Sequence, residues 1–340
     1  MTVLEAIQKS TEFLAKKGVD SPRLQTELLL AHLLKLPRMK LYLNFERTLA
    51  PAETDGLREF IKRRGQREPL QHITGSTSFC GFEIAVNRQA LVPRPETELL
   101  AEAGWEFLQG GAGSSPGRSL AKPGPQPAAA RSDNAPYQDL RALDFGTGTG
   151  CIAITLAVKC PSAKVVATDV SADALALAME NAVRHNAAER IEFLQSDGFA
   201  ALENRWGECL SGRSQTKTDP REPRGNTLAD GSPGVSPHQF DLIISNPPYI
   251  PSAEIATLQP EVRDFDPRAA LDGGADGLDF YRKLAMEAKS FLKPGGKIML
   301  EFGDGQADAV RKIFETEKWI VEAVKEDYSQ RERYLIAKLD

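Results

Sequence analysis

RALDFGTGTG, residues 141–150, runs from an apolar stretch into three alternating glycines, Gly146, Gly148 and Gly150. An apolar segment of helix length, CIAITLAVKC, follows at once. A strand that ends in a glycine turn and opens directly into a helix is the start of a doubly wound α/β sheet. Glycine lets the backbone turn sharply and approach a ligand where any Cβ would clash. The helix start behind it offers unpaired N–H groups. The spacing is G-x-G-x-G, with Cys151 next, and therefore departs from the G-x-G-x-x-G of a nicotinamide site.

Downstream the alternation continues. KVVATDV reads as a second strand and SADALALAMENAVRHN as a helix capped by Ser171. IEFLQSD and FDLIISNPPYI read as the third and fourth strands, YRKLAMEAKSFL as a helix and KIMLEFG as the fifth strand. A helix, a strand from Trp319 to Glu326 and a last strand from Tyr334 to Leu339 close the chain. Strands alternating with helices predict a mostly parallel sheet, and the two closely spaced final strands an antiparallel hairpin at one edge.

Upstream, residues 1–75 read as a small all-helical domain. Val3, Leu4, Ile7 and Leu14 recur at helical spacing before Gly18. Ser21-Pro22 opens a second helix, with serine as its cap. A third begins near Pro51 and turns Leu57, Phe60 and Ile61 inward. Arg58, Lys62, Arg63, Arg64 and Arg67 cluster on and just after it, as a solvated helix face or a docking patch for an acidic partner. Residues 76–90 read as a β-hairpin linker, and 91–340 as the α/β domain. Two stretches, about 110–139 and 207–238, are rich in Gly, Pro and Ser and poor in large apolar residues, and are expected to be flexible insertions into loops.

The chain has 340 residues, with 42 Lys+Arg against 47 Asp+Glu and a net charge of −5. That balance argues against a general nucleic-acid coat. Cys80, Cys151, Cys160 and Cys209 form no CxxC pair and have no accompanying histidine cluster, so neither a metal site nor a disulfide scaffold is expected. The amphipathic, partly acidic N-terminus is unlike a signal peptide, and no apolar run approaches the ~20 residues of a membrane helix. A cytoplasmic, monomeric protein without a membrane or a stable nucleic-acid partner is expected.

Three groups of residues carry chemistry. The glycine loop Gly146-Thr147-Gly148-Thr149-Gly150 is the first. Asp169 ends the next strand, at about the ~20-residue separation of an acid that binds ribose hydroxyls; it could instead cap the following helix. Asp197-Gly198 ends the third strand, where Asp197 is placed to take the exocyclic amine of an adenine or to make a plain turn. Asn246-Pro247-Pro248-Tyr249 is the most informative tetrapeptide. An Asn at the C-terminal end of a central strand points into the ligand crevice. Pro247 presents a carbonyl with no N–H beside it, and Tyr249 a flat face for stacking. Two acceptors, the Asn246 side-chain oxygen and the Pro247 carbonyl, suit a planar NH2 group, holding both its hydrogens and aiming its nitrogen at an electrophile.

Together, GxGxG, the strand-end Asp and NPPY resemble S-adenosylmethionine-dependent amino-methyltransferases. REPLQHITG (Arg67–Gly75), LVPRPETE (Leu91–Glu98), LDFGTGTG (Leu143–Gly150), SNPPYI (Ser245–Ile250) and DPRAALDGGADGLDFYR (Asp266–Arg282) are similar to the HemK-like protein-(glutamine N5) methyltransferases. The resemblance spans nearly the whole chain outside the two insertions. It implies a Rossmann-like class I methyltransferase fold, S-adenosyl-L-methionine as donor with S-adenosyl-L-homocysteine as product, and class I peptide chain release factors as protein substrates. The methylated group would be the side-chain amide of the glutamine in their Gly-Gly-Gln motif. It also implies cofactor contacts from Gly146–Gly150, Asp169, Asp197-Gly198 and Asn246, with Asn246 to Tyr249 holding the glutamine. Gly198 departs from the pattern, because many relatives carry a bulky residue there. No strong general base is visible, and none is required if the proton leaves to water after transfer.

An N6-adenine or N4-cytosine nucleic-acid methyltransferase also presents an NH2 to an Asn-Pro-Pro-aromatic turn. It would need a basic DNA-facing surface, which the acidic total opposes. A ribosomal-protein or RNA amine methyltransferase is a rival within the class. An inactive binding module would keep the fold without turnover; intact GxGxG, Asp169 and NPPY speak against it.

Overall fold

The computed structural model describes residues 1–110, 140–203 and 239–340. The stretches expected as insertions, 110–139 and 207–238, lie outside those residues apart from Gly110, as does Cys209.

Four helices come first: α1 (Val3–Lys16), α2 (Pro22–Leu34), α3 (Pro51–Gly65) and α4 (Leu70–Thr74). Thr2 and Glu5 cap α1 reciprocally: the Glu5 amide donates to Thr2 Oγ1 at 3.2 Å and the Thr2 amide to Glu5 Oε2 at 3.0 Å. That satisfies two donors the helix itself leaves open. The serine cap expected for α2 does not form. Ser21 has φ 47° and makes no capping hydrogen bond; a capping side chain reaches the first turn only from an extended backbone. Ile7, Leu14, Leu29, Leu30, Leu57 and Ile61 share one buried cluster, with Phe60 partly buried against it.

The hairpin β1 (Ser76–Phe79) and β2 (Phe82–Ala85) follows, and then α5 (Pro95–Gly110). Phe79 and Ile84 pack into the core of the large sheet. Both backbone groups of Ala85 bond to the buried Asn181 amide, at 2.8 and 3.0 Å. The hairpin is therefore fastened to the α/β part of the chain.

The sheet is built from β3 (Leu140–Phe145), β4 (Ala163–Asp169), β5 (Ile191–Gln195), β6 (Phe240–Ser245), β7 (Leu292–Glu301), β8 (Ile320–Glu326) and β9 (Glu332–Lys338). Helices α6 (Cys151–Lys159), α7 (Ala172–Arg184), α8 (Pro260–Arg263), α9 (Asp279–Glu287) and α10 (Ala307–Thr316) lie between them in sequence. The spatial order is β5-β4-β3-β6-β7-β9-β8. The first five pair in parallel, whereas β9 runs antiparallel to both β7 and β8. The expected edge hairpin of β8 and β9 is present, with β9 as its inner strand between β7 and β8. From β3 the chain moves outward to β5 and then returns to the other side at β6. That reversal opens a crevice at the C-terminal ends of β3 and β6. Among the described residues no helix is long and apolar enough to cross a membrane.

The cations on and after α3 divide: Arg58 and Lys62 stand exposed, as on a solvated face, whereas Arg63, Arg64 and Arg67 are held by carboxylates. Arg63 holds Glu68 through two bonds of 2.9 and 2.8 Å. Arg64, its side chain 4% exposed, and Arg67 both grip Glu261 of α8, at 2.7 and 2.6 Å. Arg67 does so through a fork: Nε reaches Oε1 at 2.6 Å and Nη2 reaches Oε2 at 2.6 Å. Sequence proximity made these residues look like a surface cluster, but their carboxylate partners come from elsewhere in the chain. The helical region is thus clamped to the segment between β6 and α9.

Burial pushes the Glu261 carboxyl up, but its hydrogen bonds from Arg67 and Arg64 outweigh burial and hold it below its ordinary value. A depressed carboxylate stabilises the fold above its unfolded value and loses that contribution as pH falls through the folded one. Glu261→Gln should therefore lower the unfolding free energy by about 2 kcal/mol at neutral pH, since the buried Arg64 guanidinium loses its carboxylate and keeps only the neutral acceptors Gln25 and the Glu68 carbonyl. The deficit should shrink in acid. Denaturant titrations at neutral and acid pH check this; equal stability of the two proteins at neutral pH would contradict the clamp.

Candidate active site

The glycine loop stands on a buried carboxylate. Asp144 Oδ2 accepts from Thr147 Oγ1 at 2.7 Å and from the Ala153 amide at 3.0 Å. Burial pushes Asp144 up to about 7 against the pull of those two donors. The Gly146 and Thr147 amides donate to the Thr168 carbonyl at 2.9 and 2.8 Å, which ties the loop to β4. Gly146 and Gly150 have φ of 74° and 81° for different reasons. A Cβ on Gly146 would meet nothing within 4 Å, so the loop faces open space there. A Cβ on Gly150 would lie 3.0 Å from Ala178 Cβ, so that glycine lets α7 pack close. Gly148 is also open, with only Ala90 Cβ at 3.9 Å, and the Thr149 carbonyl accepts from Asn181 at 3.0 Å.

Asp169 stands beside the loop at the end of β4. Its Oδ2 accepts from the Gly148 amide and its Oδ1 from the Ser171 amide, both at 2.9 Å. Ser171, not Asp169, caps α7, accepting from the Ala174 amide at 3.2 Å. Each carboxylate oxygen of Asp169 keeps a lone pair for a further donor. Asp197 is largely exposed and pairs with Lys283 of α9 at 3.2 Å. Lys283 fills the space beside Gly198: a Cβ there would lie 2.4 Å from the lysine Cε and Nζ. Phe199 turns inward and stacks on Phe291, with ring centroids 4.7 Å apart.

The NPPY turn leaves β6 beside the loop. Ser245 Oγ donates to the Phe145 carbonyl at 2.6 Å, joining the ends of β6 and β3. Asn246 Nδ2 donates to Thr97 Oγ1 of α5 at 3.0 Å, and Pro247 is buried. Tyr249 packs against the core, and burial pushes its hydroxyl up to about 12. Gln306 fixes its backbone, donating from Nε2 to the Tyr249 carbonyl at 2.9 Å while its Oε1 accepts from the Gly303 amide at 2.9 Å. Beyond the turn, Ile250 exchanges backbone bonds of 3.0 and 2.9 Å with Leu271 and Gly273. That brings the DPRAALDGG segment over the turn. The pocket so formed is lined by Leu91, Arg94, Asn246, Pro247, Tyr249, Leu258, Val262 and Leu271. Arg94 pairs with the buried Asp266 at 2.8 Å across its rim.

Three further residues belong to the site: Thr97, Gln306 and Glu301. Thr97 looks like an ordinary helix-start residue, and Gln306 like part of a polar loop. Glu301, at the end of β7, is 3% exposed. Burial pushes its carboxyl up to about 7, while the neighbouring Thr97 side chain acts the other way. An acid ending an apolar run, KIMLE, is the one signal that points to it.

The sheet order, with one antiparallel strand beside an otherwise parallel run, is that of a Rossmann-like class I methyltransferase fold. Residues 5–75 match the family model described as the PrmC N-terminal domain, and 133–210 that of the methyltransferase small domain. The release factor glutamine methyltransferase of Geobacter sulfurreducens is 39% identical over 313 residues, 92% of this chain and 88% of that one. Its namesake from Chlorobaculum tepidum is 38% identical over 334 residues, 98% of this chain and 96% of the other. The Rhodospirillum rubrum protein of the same name is 36% identical over 321 residues, 94% and 80% of the two chains. The chain belongs to the release factor glutamine methyltransferase family.

The two loop glycines give a paired test. Gly146→Ala should cost only the left-handed backbone penalty, about 1–2 kcal/mol. Gly150→Ala adds the contact with α7 and should cost more. Denaturant unfolding ranks them; equal losses would contradict the separate roles.

Proposed function

We propose that this chain transfers a methyl group from S-adenosyl-L-methionine to the side-chain amide nitrogen of the glutamine in the Gly-Gly-Gln motif of class I peptide chain release factors, in the cytoplasm. One observation carries the reading. Asn246 is tied through Nδ2 to Thr97, and no group among the described residues donates to its Oδ1. That oxygen and the Pro247 carbonyl are two acceptors with no N–H from either proline to compete with a substrate NH2.

The residues of the crevice fit the cofactor. Open space over Gly146 and Gly148 admits a close ligand, and Asp169 offers two oxygens for a ribose diol. Asp197 reaches an adenine amine only by sharing its carboxylate with Lys283, and Gly198 contributes backbone alone. When bound, S-adenosylmethionine supplies a sulfonium methyl: the new C–N bond forms as the S–C bond breaks, and sulfur keeps the electron pair.

The chain's own contribution is placement. An amide nitrogen is a poor nucleophile because its lone pair is delocalised. Asn246 and Pro247 hold both its hydrogens, and Tyr249 with Pro248 bounds the plane in which the amide lies. Orientation of this kind supplies rate without a strong base. The amide proton leaves to water after transfer. A glutamine side chain is too small to select a protein, so remote contacts must supply the rest of the affinity.

The test is methyl transfer from labelled S-adenosylmethionine to a class I release factor, its Gly-Gly-Ala variant and duplex DNA, with the methyl located by mass spectrometry. A single methyl on the glutamine, absent from the variant and from DNA, is expected. Asn246→Ala should abolish turnover and keep the fold. Label on DNA adenine, or near-native kcat in Asn246→Ala, would overturn the reading.

A further inference from the structure

We propose that Thr97 and Glu301 form a positioning relay that sets which way round the Asn246 amide faces; the inference rests on the glutamine reading above. An asparagine amide has two nearly isosteric ends. With Oδ1 inward, it accepts a hydrogen from a substrate NH2. Flipped, it opposes donor to donor and leaves both unpaired. The backbone cannot choose between the two, so a neighbour must.

The strand register puts the candidates together. Ser245 pairs with Leu300 across β6 and β7, so Asn246 and Glu301 leave the sheet side by side. Thr97, 3% exposed, stands over both from α5. Its Oγ1 accepts from Asn246 Nδ2 at 3.0 Å, and the Glu301 carboxyl, its Oε2 unpartnered among the described residues, neighbours the same hydroxyl. A hydroxyl has one proton to give. An ionised carboxylate only accepts, so it draws the Thr97 proton to itself and leaves a threonine lone pair facing Asn246. The chain of bonds then has one direction: Asn246 Nδ2–H to Thr97 Oγ1–H to the Glu301 carboxylate. Asn246 Oδ1 is left on the substrate side.

A neutral Glu301 can donate instead. The threonine proton is then free to turn toward Asn246 and favours the flipped amide. Glu301 Oε2 has no hydrogen-bond partner among the described residues. A buried acid so poorly satisfied costs stability, and such groups concentrate at working sites. The groups around it are Arg94 and Glu96 from the segment entering α5, Arg333 of β9 and Tyr249; the arginines favour the charged form and Glu96 opposes it. Tyr281 of α9 donates to the Glu301 backbone carbonyl, not to its carboxylate. With burial placing the acid near 7, the relay should lose its direction as pH falls through neutrality.

Full-length enzyme, labelled S-adenosylmethionine and a release factor give the test, with kcat, KM and cofactor affinity measured across pH 5.5–9. Turnover by the parent enzyme comes first: no glutamine methylation there defeats the functional reading itself, independently of the relay. Given turnover, Thr97→Val should lower kcat by about 10²-fold, the scale of a misaligned reacting group, with cofactor affinity unchanged. Thr97→Ser should recover most of the loss. The parent should lose kcat below about pH 7, and Glu301→Gln, which still offers a carbonyl but does not titrate, should run with lower kcat and no acid limb. Parental kcat in Thr97→Val, or an acid limb that persists in Glu301→Gln, would overturn the relay. If Thr97→Val does not fold, the pH profile of Glu301→Gln decides alone.

Discussion

Two prolines follow one another where a buried parallel strand leaves the sheet, and much of the site is arranged around that fact. Neither Pro247 nor Pro248 has an N–H, so the turn cannot continue the ladder. The surrounding chain holds it by other means. Ser245 bonds to the end of β3, Gln306 to the Tyr249 carbonyl, and Ile250 to the segment around Leu271. What remains unpaired is an acceptor-rich edge facing a pocket.

The short motifs on either side become intelligible as the walls of that pocket. LVPRPETE supplies Arg94 to its rim and Thr97 to the Asn246 amide. DPRAALDGG supplies Asp266 as the partner of Arg94, and Leu271 as the backbone partner of Ile250. Between them, Val262 lines the pocket one residue from Glu261, which Arg64 and Arg67 clamp to the helical region. The helices that precede the sheet thus bear directly on a pocket wall, and a protein substrate meeting them would meet the pocket too.

The parallel sheet is legible in the sequence because its strands are buried on both faces and read as apolar runs bounded by Gly, Asp and Asn. The insertion of β9 between β7 and β8 is not legible, since strand order depends on packing that no local pattern encodes. The arginine cluster misleads for a related reason: three neighbouring cations look like a surface until Glu68 and Glu261 are placed beside them. Ser21 fails as a cap because its backbone is left-handed, which a Ser-Pro pair does not announce. At the site, Asn246, Pro247 and Asp169 stand out because their positions at strand ends have a chemical meaning by themselves. Thr97 and Glu301 do not, because their meaning lies only in what they touch.

The most direct measurement is a crystal structure of the enzyme with S-adenosyl-L-homocysteine and a Gly-Gly-Gln peptide. The glutamine amide nitrogen is expected within hydrogen-bond distance of both Asn246 Oδ1 and the Pro247 carbonyl, with Asn246 Nδ2 still on Thr97. A peptide seated with its glutamine outside the NPPY pocket, or with its amide nitrogen facing Asn246 Nδ2, would contradict it.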